Sequence, residues 1–211
     1  MTYTSLLASL RRYIERGNAA DTEVFDELPN LVQLAEYDIA TKLKILGFLT
    51  NVTNSMTATD PVIAKPDRWR ETASFNYQIG STRTPLFPRS YEYCRAYWPD
   101  PTVNNVANPP RFYADYDYDN WLVVPTPALA YDFEVNYWEL PELLSVGNQT
   151  NWLTDHAPNA LMFGALVQAE PFLKNDSRLN TWGPLDQGFL AALDGEDLQR
   201  ILDRSTVRTE V

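Results

Sequence analysis

The chain is poor in the residues that build metal sites, thiol chemistry and acid–base catalysis, with one cysteine, Cys94, and one histidine, His156, among 211 residues. A lone cysteine makes no intrachain disulfide, and one Cys with one His is too few soft ligands for a zinc site. Folding without cross-links in a reducing compartment is the expectation. No apolar run approaches membrane-spanning length, and the arginines of MTYTSLLASLRRYIERGN follow the leucines, the reverse of a secretory signal. A soluble protein made in the cytosol is therefore expected, and the sequons Asn51-Val52-Thr53 and Asn148-Gln149-Thr150 read as chance matches. Positive charge is scarce too: 17 basic against 28 acidic residues leave a formal charge of -11. Scattered lysines and arginines exclude a clamp that grips phosphates, whereas an acidic surface suits one past which a phosphate polymer slides. At this length one domain, or one helical core with a sizeable insertion, buries most of its apolar surface.

What the chain does have is a change of period, from helical to alternating and back. Leu6, Leu7, Leu10, Tyr13 and Ile14 predict a short helix closed at Gly17-Asn18. Asp21 or Thr22 caps a second, with Leu28, Leu31, Leu34 or Ala35, Ile39 and Leu43 as its stripe. Pro29 lies inside it, so either the helix bends there or a short turn at 22–28 precedes the main helix. After Gly47, Ala73, Phe75, Tyr77 and Ile79 alternate with polar residues, as do Tyr131, Phe133, Val135 and Tyr137. Shorter strands near Arg111–Tyr116 and at Trp121–Val124, the latter stopped by Pro125-Thr126-Pro127, complete an expected antiparallel meander. Arg89–Ala96 is expected to form a turn or two of helix, and Pro99–Pro110 an exposed loop. A helix then starts near Thr154 or Asp155, with Pro158 in its first turn and a stripe of Leu161, Met162, Ala165, Leu166, Ala169 and Leu173. Gly164, Ala165 and Ala169 let a neighbouring helix approach closely. A last helix, capped by Asn175 or Asp176, carries Leu179, Trp182, Leu185, Phe189, Leu190 and Leu193, with a kink or restart expected at Gly183-Pro184. The fold class is thus α+β: an antiparallel helical bundle of 1–46 and 150–204, an inserted antiparallel β-sheet subdomain of 47–149, and a loose tail of 205–211.

Several constellations invite a chemical reading. Asp115-Tyr116-Asp117-Tyr118-Asp119-Asn120 begins like a calcium loop, but its sixth position is Asn120 rather than glycine and its twelfth is Thr126 rather than a bidentate glutamate. A solvated hairpin turn is the expectation there. His156 beside Asp155 reads as a helix residue at a packing seam rather than a general base, and Cys94, despite Arg95, as an inert thiol. Asp132, Glu134, Glu139 and Glu142 are candidates for the paired carboxylates of glycan hydrolysis, yet Asp132 and Glu134 fall on the polar side of a strand. Tyr91, Tyr93, Tyr97 and Trp98 are candidates for a sugar-stacking platform. No phosphate loop, Ser-His-Asp set or metal spacing appears, so no catalytic, cofactor or metal residue is assigned.

The order of the motifs carries a resemblance. T-N-W-L-x4-P at Thr150–Pro158, G-A-L-x-x-A-x-P-x-L at Gly164–Leu173, the Asn175-Asp176 break and Trp182 leading to A-A-L at Leu193 resemble the phage head-to-tail adaptor family. Pro110–Tyr113, Trp121–Val124, Pro125–Pro127, Tyr131–Tyr137 and the opening LPNLVQLAEYDIATKL are similar to it as well, so the resemblance spans nearly the whole chain. Gly183-Pro184 departs from the uninterrupted last helix expected of the family. The resemblance implies a structural virion protein, not an enzyme, made in the host cytoplasm and placed at the head–tail interface. It implies a homo-oligomeric ring, commonly twelve-fold, between the portal protein and the tail nozzle or tail tube. Double-stranded DNA would pass through its channel without specific binding, and no membrane is involved. By analogy Leu198, Arg200, Ile201, Leu202 and Arg204 would dock on the portal. A carbohydrate-binding or glycan-hydrolysing tail component is the alternative.

Overall fold

The computed structural model describes the backbone of residues 1–174 and 176–205, and the side chains of 1–174 and 177–196. It is α+β, with six α-helices and a seven-stranded mixed sheet among the described residues. The chain divides into two compact units, Met1–Phe48 with Leu140–Val211, and Leu49–Glu139.

The helical unit is organised around α5 (Pro158–Leu173), against which α1 (Tyr3–Ile14), α2 (Thr22–Lys42), α4 (Trp152–His156) and α6 (Leu179–Ser205) all pack. Helix α1 begins in a capping box: the Thr2 hydroxyl accepts from the Ser5 amide and the Ser5 hydroxyl accepts from the Thr2 amide. It buries Tyr3, Leu6, Leu10 and Ile14 on one face and ends at Glu15 in a left-handed conformation, two residues before Gly17. Asp21 precedes α2 but makes no side-chain cap; it pairs with Arg16 at 3.0 Å, and that pairing holds its carboxyl below the usual range. Pro29 leaves α2 as one helix, so the alternative of a separate turn at 22–28 does not occur. The tetrad Leu28, Leu31, Ala35 and Ile39 is buried as expected, while Leu34 faces solvent.

Where one helix was expected from Thr154, the chain forms two. Asn151 caps α4 in a second capping box with Thr154, and Pro158 then opens α5 at its first position, where its missing amide costs nothing. Helix α5 buries Leu161, Met162, Ala165, Leu166 and Ala169, and an added Cβ at Gly164 would sit 3.5 Å from Ala35 Cβ, so α2 and α5 do approach at small residues. Of the kink or restart expected at Gly183-Pro184, the restart does not occur, because α6 is one helix; Asp186 and Leu190 are buried while Leu185 is exposed. The Asn175 cap lies outside the described residues; of the expected loose tail 205–211, Ser205 ends α6 and 206–211 lie outside the described residues.

The buried carboxylate of Glu36 ties this unit together. It accepts from the Leu144 amide at 3.1 and 3.3 Å and from Asn151 Nδ2 at 2.5 Å, so α2 holds both the 140–150 loop and the cap of α4. Burial pushes its pKa up to about 7, against the lowering effect of those two donors. Nearby in the chain, Gly47 lies flat on the Trp152 indole: a Cβ there would stand 2.1 Å from the ring. Phe48 packs edge-on to the same indole.

The sheet unit runs in the order β1-β7-β3-β4-β5-β6-β2, formed by β1 (Leu49–Ser55), β2 (Val62–Ala64), β3 (Trp69–Ile79), β4 (Thr82–Pro88), β5 (Phe112–Asp115), β6 (Asn120–Val124) and β7 (Asp132–Glu139). The expected antiparallel sheet is corrected at one place: β4 and β5 are parallel, Phe87 opposite Phe112. The intervening α3 (Tyr91–Tyr97) and the loop after it return the chain to the other end of the sheet, and a crossover of a dozen or more residues is what parallel neighbours require. Strand β3 is longer than its alternation and contains a bulge between Thr72 and Ser74, which turns Ala73 outward. Phe75, Tyr77, Tyr113, Trp121, Phe133, Val135 and Tyr137 form the core on one face. Cys94 of α3 packs with Ala114, Leu122 and Val124 on the other, which is why β6 is buried on both sides and reads as a continuous apolar run.

Two outcomes follow for stability. Replacement of Gly47 by alanine is expected to destabilise the fold by about 1–3 kcal/mol, because the indole ring must move, and urea denaturation measures it. Between about pH 4.5 and 7 the folded chain holds a proton on Glu36 that the unfolded chain has lost, so stability falls as pH rises through this window, by about 3 kcal/mol in all. Denaturation midpoints compared at pH 5 and pH 8 should show that dependence reduced in Glu36→Gln; an unchanged dependence would contradict the assignment.

Candidate functional site

The calcium-like segment is built around a cation that the chain itself supplies. Strand β5 ends at Asp115 and β6 begins at Asn120, so residues 116–119 form a tight turn closed by Tyr116 and Asp117 amides donating to the Asn120 carbonyl. The Asp117 carboxylate accepts from Asn120 Nδ2 at 3.0 Å and from the Asp119 amide at 2.8 Å, and the Asn120 contact is the main cause of its lowered pKa. Into this turn reaches Lys65, its side chain only 2% exposed. The ammonium lies 2.8 Å from Asp115 Oδ1, 2.9 Å from the Asp117 carbonyl oxygen and 3.6 Å from the centroid of the Trp69 ring. The ammonium thus has one carboxylate, one backbone carbonyl and an aromatic face as partners. Nothing in the spacing of the aspartates pointed to Lys65, which is fifty residues away in the chain.

The other sequence candidates are dispersed or already partnered. Asp132 and Glu134 project from the outer face of β7, Asp132 accepting from the Ser55 hydroxyl and Glu134 paired with Arg83 at 3.2 Å and with Asn51 Nδ2 at 2.9 Å. Glu139 pairs with Arg68 at 3.6 Å, and Glu142 lies in the 140–150 loop of the helical unit. Asp132 and Glu134 line one shallow cavity of about 440 Å³ together with Arg83, and both carboxylates are already partnered there. Tyr93 and Tyr97 stack nearly parallel and both meet Phe112 edge-on, whereas Tyr91 packs on Tyr116 and Trp98 donates to the Val103 carbonyl. Their faces pack on each other rather than forming one open platform. Burial raises the Cys94 pKa, and the opposing charges of Arg89 and Arg95 do not reverse it, so the thiol is kept protonated. His156 is exposed and rests on the Trp152 indole at 5.2 Å.

Two surfaces stand out instead. On the sheet unit, Tyr77, Ile79, Thr84, Pro85, Phe87, Pro109, Pro110, Arg111 and Phe112 line an apolar groove of about 480 Å³. Its floor is fixed by the Tyr77 hydroxyl donating to the Pro110 carbonyl at 2.8 Å, and Phe87 on its rim is 54% exposed. On the helical unit, α6 folds back along α5: the Trp182 indole donates to Glu170 at 2.9 Å, and Phe189 stacks on Phe163 about two turns further on. The backbone of Leu198, Arg200, Ile201, Leu202 and Arg204 continues this helix; their side chains lie outside the described residues.

Among the described residues, no group of three or more His, Cys, Asp or Glu side chains is placed to hold a metal ion, and no helix is long and apolar enough to cross a membrane. With Lys65 already seated among the aspartates, the thermal midpoint is expected to be the same in millimolar calcium and in chelator. Lys65→Met is expected to lower stability by about 1–3 kcal/mol through loss of the charged hydrogen bonds. A calcium-dependent midpoint in the unmodified protein would overturn this account of the loop.

No curated protein matches the chain. The family described as SU10 adaptor protein matches it over residues 1–210. The chain therefore belongs to the SU10 adaptor protein family of phage head-to-tail adaptors.

Proposed function

We propose that this adaptor forms a ring, commonly twelve-fold in such assemblies, that joins the portal of a tailed-phage head to the tail nozzle or tail tube and prolongs the DNA channel. In this reading the helical body (1–46 and 150–204) is an antiparallel bundle, the inserted sheet (47–149) faces neighbouring subunits or tail components, and the protein is a virion component rather than an enzyme. DNA passes without specific contacts. Twelve copies would carry about -130 formal charges, so a channel they line repels phosphate, and apolar or charge-complementary subunit contacts must offset the mutual repulsion.

The observation that carries the docking part is the length of α6. Its 27 residues run back along the 16 of α5, and the pairs Glu170–Trp182 and Phe163–Phe189 bring it level with the start of α5 near Leu193. About 12 further residues, or about 18 Å of helix, extend past that point. Such an overhang has no α5 surface left to cover and is suited to insertion into a partner. Leu198, Arg200, Ile201, Leu202 and Arg204 are the portal-docking residues in this proposal. Deletion of Glu196–Val211 should leave the thermal unfolding midpoint nearly unchanged and abolish co-sedimentation with purified portal rings; full binding by the truncated chain would refute the docking role.

A further inference from the structure

The two edges of the sheet are finished differently. β2 is three residues long and lies between Pro61 and Pro66, and its Val62 amide, which points away from β6, is taken by the Asp60 carboxylate at 2.9 Å. Brevity, proline and a local acceptor are devices that stop an edge from pairing further. β1 is neither short nor interrupted: its seven residues, LTNVTNS, contain no proline, glycine or charge. All of them pair with β7, and the Met56 amide continues the ladder by donating to the Tyr131 carbonyl at 2.8 Å. That register turns the amides of Thr50, Val52 and Asn54 toward β7 and those of Asn51, Thr53 and Ser55 outward. The Asn54 side chain takes the Ser55 amide at 2.8 Å, whereas Asn51 and Thr53 are exposed, with their backbone donors and acceptors facing solvent.

An open edge of this kind takes an extended segment, whose main chain supplies the hydrogen bonds and whose alternate side chains fall on the two faces. On the core face β1 offers Val52, half-buried beside Val135 at the border of the aromatic core, so an added strand needs β-branched residues at alternate positions there. The residues after Ser205 have that pattern. Val207, Thr209 and Val211 alternate with Thr206, Arg208 and Glu210, with no proline or glycine among them. Extended, this segment spans about 20 Å, against about 23 Å for β1. It follows Ser205, the last described residue of the helix that overhangs α5, so it starts beyond the helical packing of its own copy. A strand given by one copy to the edge of the next is a heterologous contact, which repeats head to tail and closes into a ring when the rotation per copy allows.

We propose that Thr206–Val211 of one copy adds as a further strand along the outer edge of β1 in the next. The proposal rests on the ring reading above and supplies its subunit contact. Thr53→Pro in the full-length chain tests it, because this change removes an outward amide and none that β7 receives. Mixed with purified portal rings, this variant and a chain lacking Thr206–Val211 should each need at least tenfold more protein to form closed rings in negative stain. Both should keep the parent's unfolding midpoint and still co-sediment with the portal at high concentration. Thr53→Cys with Arg208→Cys, lightly oxidised, should give a ladder of disulfide-linked multimers that needs both substitutions; Cys94 is buried and can stay. Closed rings at unchanged concentration from both the proline and the truncated chain would overturn this contact and leave the ring reading standing. Weakening by the proline alone would give the edge to a portal or tail strand, and a cross-link within one chain would give it to the same copy; either result overturns the proposal. Absence of rings from the unmodified chain on its portal would overturn both readings.

Discussion

A single buried carboxylate organises the helical unit. Glu36 leaves α2 on the core side, where an acid is costly to charge, and its two oxygens take the Leu144 amide and the Asn151 side chain. Asn151 is also the cap of α4, so one side chain fixes the base of the 140–150 loop and the start of the helix that follows. Removal of the acceptor would leave two donors without partners in a dry environment, which costs more than the bond itself returns. The base of the 140–150 loop is thereby tied to α2. Gly47 serves the same end by letting Trp152 lie against the backbone.

Charge is handled differently in the two units. The helical unit buries Glu36, Glu170 and Asp186, and one oxygen each of Glu170 and Asp186 has no hydrogen-bond partner among the described residues. Burial raises the Asp186 pKa. The sheet unit instead pairs its charges on the surface, Arg83 with Glu134 and Arg68 with Glu139, and brings one lysine inside to neutralise a turn of aspartates. An acidic molecule that joins others gains from that economy, since exposed charge left unpaired at a contact opposes association.

The chain belongs to a family of structural phage adaptors. What recurs is rigid presentation: a bulged strand, a parallel pair forced by a crossover, a turn closed around Lys65, and a helix longer than its packing partner. These features shape surfaces. Affinity for portal or tail proteins would then come from a few well-held apolar groups rather than from extended charge.

The α+β class and, apart from the exposed Tyr13, Ala73 and Ile79, the buried faces of α1, α2, α5, β3 and β7 were legible in the sequence, because helical and two-residue periods report burial directly. Strands β1, β2 and β4 were not: LTNVTNS lies at a sheet edge with little buried, VIA is three residues long, and TRTPLFP carries two prolines. Alternation cannot register an edge. Asp186 displaced Leu185 from the inner face of α6 because the angle at which α6 meets α5 sets which residue points inward, and a stripe of leucines does not record that angle. Likewise the parallel β4–β5 pair, the Lys65 ammonium inside the aspartate turn and the Glu36 tie to a loop more than a hundred residues away all depend on distant segments meeting. By itself the order of residues determined which faces would be buried; only the tertiary structure decided which polar groups would be buried with them, since a buried polar group is defined by its partner.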